Sequence, residues 1–274
     1  MNGVINVLKP PAMSSNGVTV FLKKTLNEKR VGHAGTLDPG AAGVLVVLLG
    51  RAARLSDYLM GHDKVYVAEL HFGRRTDTLD SYGVCTAEKQ TDRTRLAERL
   101  EAACQAFLGE QMQTPPAYSA IKVGGKKSYE LARRGIDLPK PPRRVYISGI
   151  EVLAQTGPEQ FLLRIRCSKG TYVRTLLEDI AASMGELAYT SFLMRERSGE
   201  FAVQQAWTLD EIARCVAQGD FSFCIPPEEV VRALPRVHLG AEQRFAIEHG
   251  QKLRAAGPLP TGQFSLYCGE TFYG

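Results

Sequence analysis

Apolar positions along this 274-residue chain recur with two different periods, and each period predicts its own kind of element. Residues 4–8 are almost wholly apolar and close at Lys9-Pro10-Pro11, which reads as a short strand. Ser14-Ser15-Asn16 then supplies caps for a helix whose apolar positions include Val18, Phe21 and Leu22. Residues 32–43 carry too many glycines for a regular helix and predict a loop set against the core. That loop feeds residues 44–49, the longest uninterrupted apolar run, which suits a buried strand or helix segment.

Residues 66–72 alternate as a strand, and residues 74–80 after Gly73 read as a polar loop. Leu96, Leu100, Ala103 and Phe107 recur at helical spacing over about 92–108. Pro115-Pro116, Gly124-Gly125 and Pro139 to Pro142 mark an extended excursion from the core, with a short helix expected near 128–134. In residues 161–168, Leu163, Ile165 and Cys167 alternate with Arg164 and Arg166, so one face is buried and the other cationic. A helix over 173–184 places Leu176, Leu177, Ile180, Ala181 and Met184 on one face and stops at Gly185. Pro226-Pro227 and Pro235 bracket an expected linker, with about forty residues after it as a small C-terminal module.

Composition narrows the class. With 44% hydrophobic and 23% charged residues the chain is a folded globular protein rather than a disordered or fibrous one. The longest apolar run is far short of the roughly 20 residues of a membrane helix, and no secretory signal is visible, so the expected compartment is the cytoplasm. Six cysteines without a Cys-x-x-Cys pair are expected to be reduced and mostly buried. The net charge of +5 is concentrated: residues 122–146 hold eight basic side chains against two acidic ones, interleaved with Tyr129 and Tyr146 and preceded by Tyr118. Such a segment is either a solvated loop or a contact for nucleic acid, where cations meet phosphates and rings stack on bases.

The common catalytic templates are missing. The glycine-rich loop matches neither phosphate-cradling fingerprint, there is no Gly-x-Ser-x-Gly elbow, and the five histidines lack metal-ligand spacing, so neither cofactor nor metal is expected. What remains is Asp38. Directly before Pro39 it suits a helix N-cap, yet a carboxylate in a dry site beside a cation can also act as a covalent nucleophile. Arg174 is a candidate for that cation, or else an ordinary helix-surface partner of Glu178. His33 reads equally as a loop histidine, and Tyr66 and Leu193 as core residues, so residue types alone leave the function open.

Six blocks together resemble the TruB-type tRNA pseudouridine synthases: GVINVLKPPAMSS from Gly3, VGHAGTLDPGAAG from Val31, KVYV from Lys64, RTDTLD from Arg75, TPPAYSAIKVGGKKSYE from Thr114 and CSKGTYVRT from Cys167. They occur in the family's order over about residues 3–200. The resemblance implies an α+β fold: a pseudouridine synthase core with a central, largely antiparallel mixed sheet flanked by helices, spanning 1–230. It implies an RNA-gripping insertion at about 111–146 and a short or incomplete PUA-like module over 231–274. The implied activity is isomerisation of uridine 55 in the T loop of tRNA, without a cofactor. With no membrane-length apolar run, coiled coil or large apolar stripe in the sequence, a monomer that is not membrane-bound is expected. Asp38 is then the catalytic aspartate, Tyr66 lies against the flipped nucleotide, and a bidentate Arg174 orients Asp38. His33, Tyr172 and Leu193 contact the substrate nucleotide or fill its space, while Lys122, Lys126, Lys127, Arg133, Arg134, Arg143 and Arg144 grip RNA. The competing reading is a non-catalytic tRNA-binding or folding factor, for which the basic segment and its tyrosines suffice.

Overall fold

Two neighbouring strands, β1 (Gly3–Lys9) and β3 (Ala42–Leu49), pair antiparallel along their whole length and are buried on both faces. This explains why 44–49 shows no alternation: Leu45, Val47 and Leu49 enter one apolar cluster, while Val44, Val46 and Leu48 enter another on the opposite face. Helix α1 (Ser15–Thr25) covers the first face with Val18 and Leu22, and its N-cap Ser14 accepts from the Gly17 N–H as its sequence predicts. The structure, a computed structural model, describes all residues except 120, 124, 125, 129–131, 133–135, 137, 139 and 254–257, and only the backbone of 122, 123, 126 and 127.

Two expected loops are partly strand. β2 (Val31–His33) carries the start of the glycine-rich stretch into the sheet beside β3. Beyond the short helix α2 (Ser56–Met60) and β4 (Lys64–Phe72), β5 (Arg74–Thr76) forms a ribbon with β6 (Cys85–Glu88), so only the tip of the expected 74–80 loop is irregular. Short β5 shows no alternation long enough to be recognised, and its pairing with β6 is what makes it a strand. The helix expected over 92–108 is α3 (Leu96–Ala106), with Leu96, Leu100 and Cys104 buried.

The described residues form a nine-stranded sheet in the order β1-β3-β12-β4-β11-β10-β7, where β7 is Gly109–Gln113, β10 Arg143–Gly157, β11 Gln160–Cys167 and β12 Ala188–Ser198. Short β2 pairs with β3, and β13 (Phe201–Ala202) pairs with β12. All pairings in this sheet are antiparallel except β3 with β12, so the mixed, largely antiparallel sheet of an α+β core is present. Helices α3 and α4 (Val173–Ser183) pack on the β4–β11–β10 half through Leu100, Leu177 and Ile180 against Leu70, Phe161 and Ile165. The buried face of β11 is the one its alternation predicted, and its Arg164 is held on the opposite face by Glu196 and Glu151.

The basic excursion leaves from paired strand ends, since Gln113 on β7 is opposite Arg143 on β10. Between them lies a small ribbon of β8 (Lys122–Val123) and β9 (Lys126–Lys127), whereas the helix expected near 128–134 lies mostly outside the described residues. The expected linker near 226–235 is packed chain: Ile225 bridges Val4, a single-turn helix spans Pro227–Val230, and Val231 is buried. β14 (Arg236–Leu239), β15 (Ser265–Cys268) and β16 (Thr271–Phe272) form a separate three-stranded sheet. All six cysteines are free, with Cys104, Cys167 and Cys268 buried and Cys85 exposed, so burial is less general than expected. Among the described residues no helix is long and apolar enough to cross a membrane.

Candidate active site

The glycine-rich loop delivers Asp38 to the place where β3 and β12 meet in parallel, and three other elements pin the loop on either side of it. The Ser15 hydroxyl at the start of α1 donates to the Leu37 carbonyl and accepts from the Leu37 N–H, both at 2.9 Å. Buried Lys9 at the end of β1 donates through Nζ to the carbonyls of Met13 (2.6 Å), Pro10 (2.8 Å) and Pro39 (3.2 Å). Arg195 of β12 donates through Nη2 to the Gly35 carbonyl at 3.1 Å. Gly43 ends the loop at φ +107°, and a Cβ there would lie 2.3 Å from the Arg195 carbonyl oxygen, so only glycine lets the two strands approach this closely.

No helix follows Asp38, which removes the N-cap reading. The Ala41 N–H instead bonds the Asp38 carbonyl at 3.1 Å, closing a turn over Pro39-Gly40 before β3 begins. With no helix N–H groups to satisfy, the carboxylate turns to Arg174: Nη2 lies 2.9 Å from Asp38 Oδ2. Arg174 sits in the first turn of α4 and is 4% exposed. The fork is shared rather than bidentate on Asp38. Nη1 lies 3.5 Å from Asp80 Oδ2 and donates to the Thr78 carbonyl, while Nη2 also donates to the Tyr118 carbonyl at 3.1 Å. Glu178, the expected helix-surface partner, pairs with Arg75 at 3.1 Å. Arg174 thereby ties the Asp38 loop to the tip of the β5–β6 ribbon and to the segment before the basic excursion.

These groups line a narrow cleft of about 20 Å³, walled by Asp38, Gly40, Asp80, Tyr82, Arg174, Phe192 and Leu193. Leu193 therefore lines the same cleft as the carboxylate. Tyr66 on β4 sits directly opposite Arg195 on β12, and Leu193 is opposite Ala68 on the same face. Burial pushes the Tyr66 phenol above its ordinary value, Asp38 and Cys167 add to the rise, and the Arg195 guanidinium pulls the other way. His33 ends β2 with Nδ1 buried and unpartnered, and burial followed by the Arg195 charge lowers its proton affinity, so the ring is neutral at pH 7. Tyr172, at the N-cap of α4, exchanges hydrogen bonds with the Gln113 side chain at 2.7 and 3.0 Å. Its ring lies under Arg143, 4.6 Å from the guanidinium carbon.

The basic residues divide. Arg143 also donates to the Gly170 carbonyl and so holds the loop carrying Tyr172, while Arg144 is exposed and pairs with Glu110 at 3.1 Å. Lys122, Lys126 and Lys127 stand on the β8–β9 ribbon, and Arg133 and Arg134 lie outside the described residues. Among the described residues no cluster of His, Cys, Asp or Glu is placed to hold a metal ion. Sequence reasoning did not single out Lys9, Asp80 or Arg195. Asp80 was within reach, since it lies in the RTDTLD block, whereas Lys9 and Arg195 look like ordinary strand-end and strand cations until the register is known.

A family model for TruB family pseudouridylate synthases (N-terminal domain) matches residues 23–173. A tRNA pseudouridine synthase B of Symbiobacterium thermophilum is 42% identical over 91% of this chain and 82% of its own length. One of Streptococcus mutans is 39% identical over 93% and 88% respectively. Among solved structures, a chain of a Cbf5-Nop10-Gar1 complex superposes with a TM-score of 0.71 at 28% identity, covering 97% of this chain and 74% of that one. A chain of an H/ACA RNP bound to a substrate RNA containing 2′-deoxyuridine gives 0.70 at 27% identity with the same coverage. With a glycine-loop aspartate in the matched region paired to a buried arginine just beyond its end, and relatives alike over nearly the whole chain, this protein belongs to the TruB family of pseudouridylate synthases.

Proposed function

We propose that this chain isomerises uridine 55 in the T loop of tRNA to pseudouridine, with Asp38 as the essential catalytic residue and the target base flipped out of the loop. The observation that carries the reading is the Asp38–Arg174 pair at 2.9 Å, in which a buried cation holds a carboxylate that is still 37% exposed to the cleft. The reaction breaks N1–C1′, turns the detached uracil, forms C5–C1′ and exchanges the C5 hydrogen for one at N1. That sequence needs a carboxylate held in place beside a cation, and walls that keep the detached base from leaving. Arg174 holds the carboxylate by charge and hydrogen bonding, and Leu193 and Tyr66 supply the walls. Extruding a stacked base costs a few kcal/mol, which the walls and phosphate contacts offset.

In this reading Asp38 attacks C1′ or C6, or assists a route through a glycal in which Tyr66 is the base. His33 and Tyr172 contact the nucleotide beside it. Lys122, Lys126, Lys127, Arg133, Arg134 and Arg144 grip the RNA through the insertion at about 111–146, and Arg143 serves it by holding Tyr172. Residues 1–230 act as the catalytic domain, 231–274 add an auxiliary RNA contact, and the enzyme works as a cytoplasmic monomer. The similarity to proteins named tRNA pseudouridine synthase B supports tRNA as the substrate.

The test is tritium release from tRNA labelled at C5 of uridine. Wild type is expected to release tritium only when the T-loop uridine is present. Asp38→Asn is expected to lose at least about a thousandfold in turnover while keeping RNA affinity. Substantial turnover by Asp38→Asn would sink its assignment, and tight binding by wild type without release would favour the folding-factor reading.

A further inference from the structure

Arg195 heads the fully buried side chains by size, at 1% exposure, and among the described residues no carboxylate pairs with it. An isolated buried cation costs several kcal/mol unless its N–H groups are used, so where they point matters. Nε donates to the Val44 carbonyl at 2.7 Å and Nη2 to the Gly35 carbonyl at 3.1 Å, on either side of Asp38 in the chain. Its backbone is wedged against Gly43, where no Cβ fits. Across the β4–β12 pair it is the direct partner of Tyr66, so the two side chains leave the sheet side by side on one face.

We propose that Arg195 is a positioning residue for the isomerisation: it donates to the Tyr66 hydroxyl oxygen, so that the phenol proton points toward the cleft and Tyr66 becomes the group that exchanges a proton with the substrate. This rests on the reading that Tyr66 is more than a wall. A phenol oxygen that accepts from a guanidinium turns its own O–H away from that donor. When the phenol proton goes to the uracil N1 freed by N1–C1′ cleavage, the negative charge on oxygen meets a cation already in place; when C5 gives up its hydrogen after C5–C1′ has formed, that proton restores the neutral phenol. The other charged or titratable groups acting on the phenol are the Asp38 carboxylate and the Cys167 thiol, and both disfavour the phenolate. Arg195 favours it, and the same side chain anchors Gly35, so the loop carrying Asp38 and the phenol share one support.

A double-mutant cycle with Tyr66→Phe and Arg195→Met, repeated with Arg195→Lys in case the apolar variant folds poorly, separates this role from a structural one. In the wild-type background Arg195→Met is expected to lower turnover about a hundredfold with tRNA affinity changed less than about threefold. In the Tyr66→Phe background the same change is expected to cost less than about threefold further. Arg195→Lys is expected to fall between wild type and Arg195→Met. Equal losses in both backgrounds, or a loss confined to tRNA affinity, would overturn the proposal.

A second readout needs no substrate and stands whatever the RNA target is. With fluorotyrosine at position 66, the fluorine NMR titration of the free protein is expected to move up by at least about one pH unit when Arg195 becomes Met. An unmoved titration would overturn the proposal, while absence of wild-type activity on tRNA would instead count against the substrate reading.

Discussion

Arg174 and Arg195 both hold the loop that carries Asp38 and are almost equally buried, yet they are solvated by the protein in opposite ways. Arg174 faces two carboxylates and two main-chain carbonyls. Arg195 faces two main-chain carbonyls and a phenol. The first arrangement cancels charge and orients Asp38. The second leaves a net positive centre under the sheet crossing, and its influence appears on its neighbours: it opposes protonation of His33, Lys9 and Lys64, while it favours ionisation of Tyr66. One support of the Asp38 loop is thus a neutralised anchor and the other a field source.

The sharpest way to break this comparison is to remove each cation. Arg174→Met is expected to destabilise by roughly 3 kcal/mol in urea unfolding, at the low end for a broken buried pair because Asp38 is partly solvated. Arg195→Met is expected to cost less than about 2 kcal/mol, since the lost bonds to Val44 and Gly35 are offset by relief of an uncompensated buried charge. The reverse order would mean that Arg195 is structurally the more important of the two.

Next comes the crossing that fixes Arg195. Gly43→Ala puts a Cβ against the Arg195 backbone at positive φ and is expected to cost about 2 kcal/mol and to lower turnover, because the loop and Arg195 shift together. Unchanged melting and activity would show that this strand contact is not what sets Arg195.

A pH titration examines the loop latch. Burial lowers Lys9 from 10.5 to about 8, Arg195 adds to the fall, and Asp38 opposes it. Between pH 8 and 10.5 the unfolded state binds more protons at Lys9 than the folded state does, so this residue makes stability rise with pH through that window. The neutral amine, however, has two N–H groups for three carbonyls, and the bond to Pro39 is the longest of the three. Turnover is therefore expected to decline above about pH 8 without a matching loss of stability. Lys64, also lowered to about 8 by burial, is the control: Lys64→Met should keep the alkaline limb, and its disappearance would reassign it.

The smallest effect is at the surface. Arg144→Gln breaks only an exposed pair with Glu110 and is expected to change stability by less than about 0.5 kcal/mol. If Arg144 contacts a phosphate, the slope of log affinity against log salt should fall by about 1. An unchanged slope would remove Arg144 from the RNA contact, and the same measurement on Arg143→Gln should show loss of turnover through Tyr172 as well.

Much of the local structure was legible because it is governed by neighbours in the chain. The Ser14 cap, the unbroken 44–49 strand, the alternation of β11 and the Gly185 stop after α4 all follow from spacing and side-chain type. The same local logic misled at Asp38, where Asp-Pro satisfied the pattern of a cap but the chain turned into β3 instead. It also misled at Arg174, where Glu178 was near in sequence but Asp38 and Asp80 are nearer in space.

What the sequence determined by itself was the set of elements, the family through six ordered blocks, and Asp38 as the carboxylate to watch. What the tertiary structure decided was which cations meet which acids, and which meet none. Side-chain period is local, whereas the parallel meeting of β3 with β12 and the register that sets Arg195 opposite Tyr66 join segments far apart in the chain. A strand pattern shows which residues share a face, but only the pairing of distant strands shows that a buried arginine at 195 has carbonyls and a phenol for company where Arg174 has carboxylates.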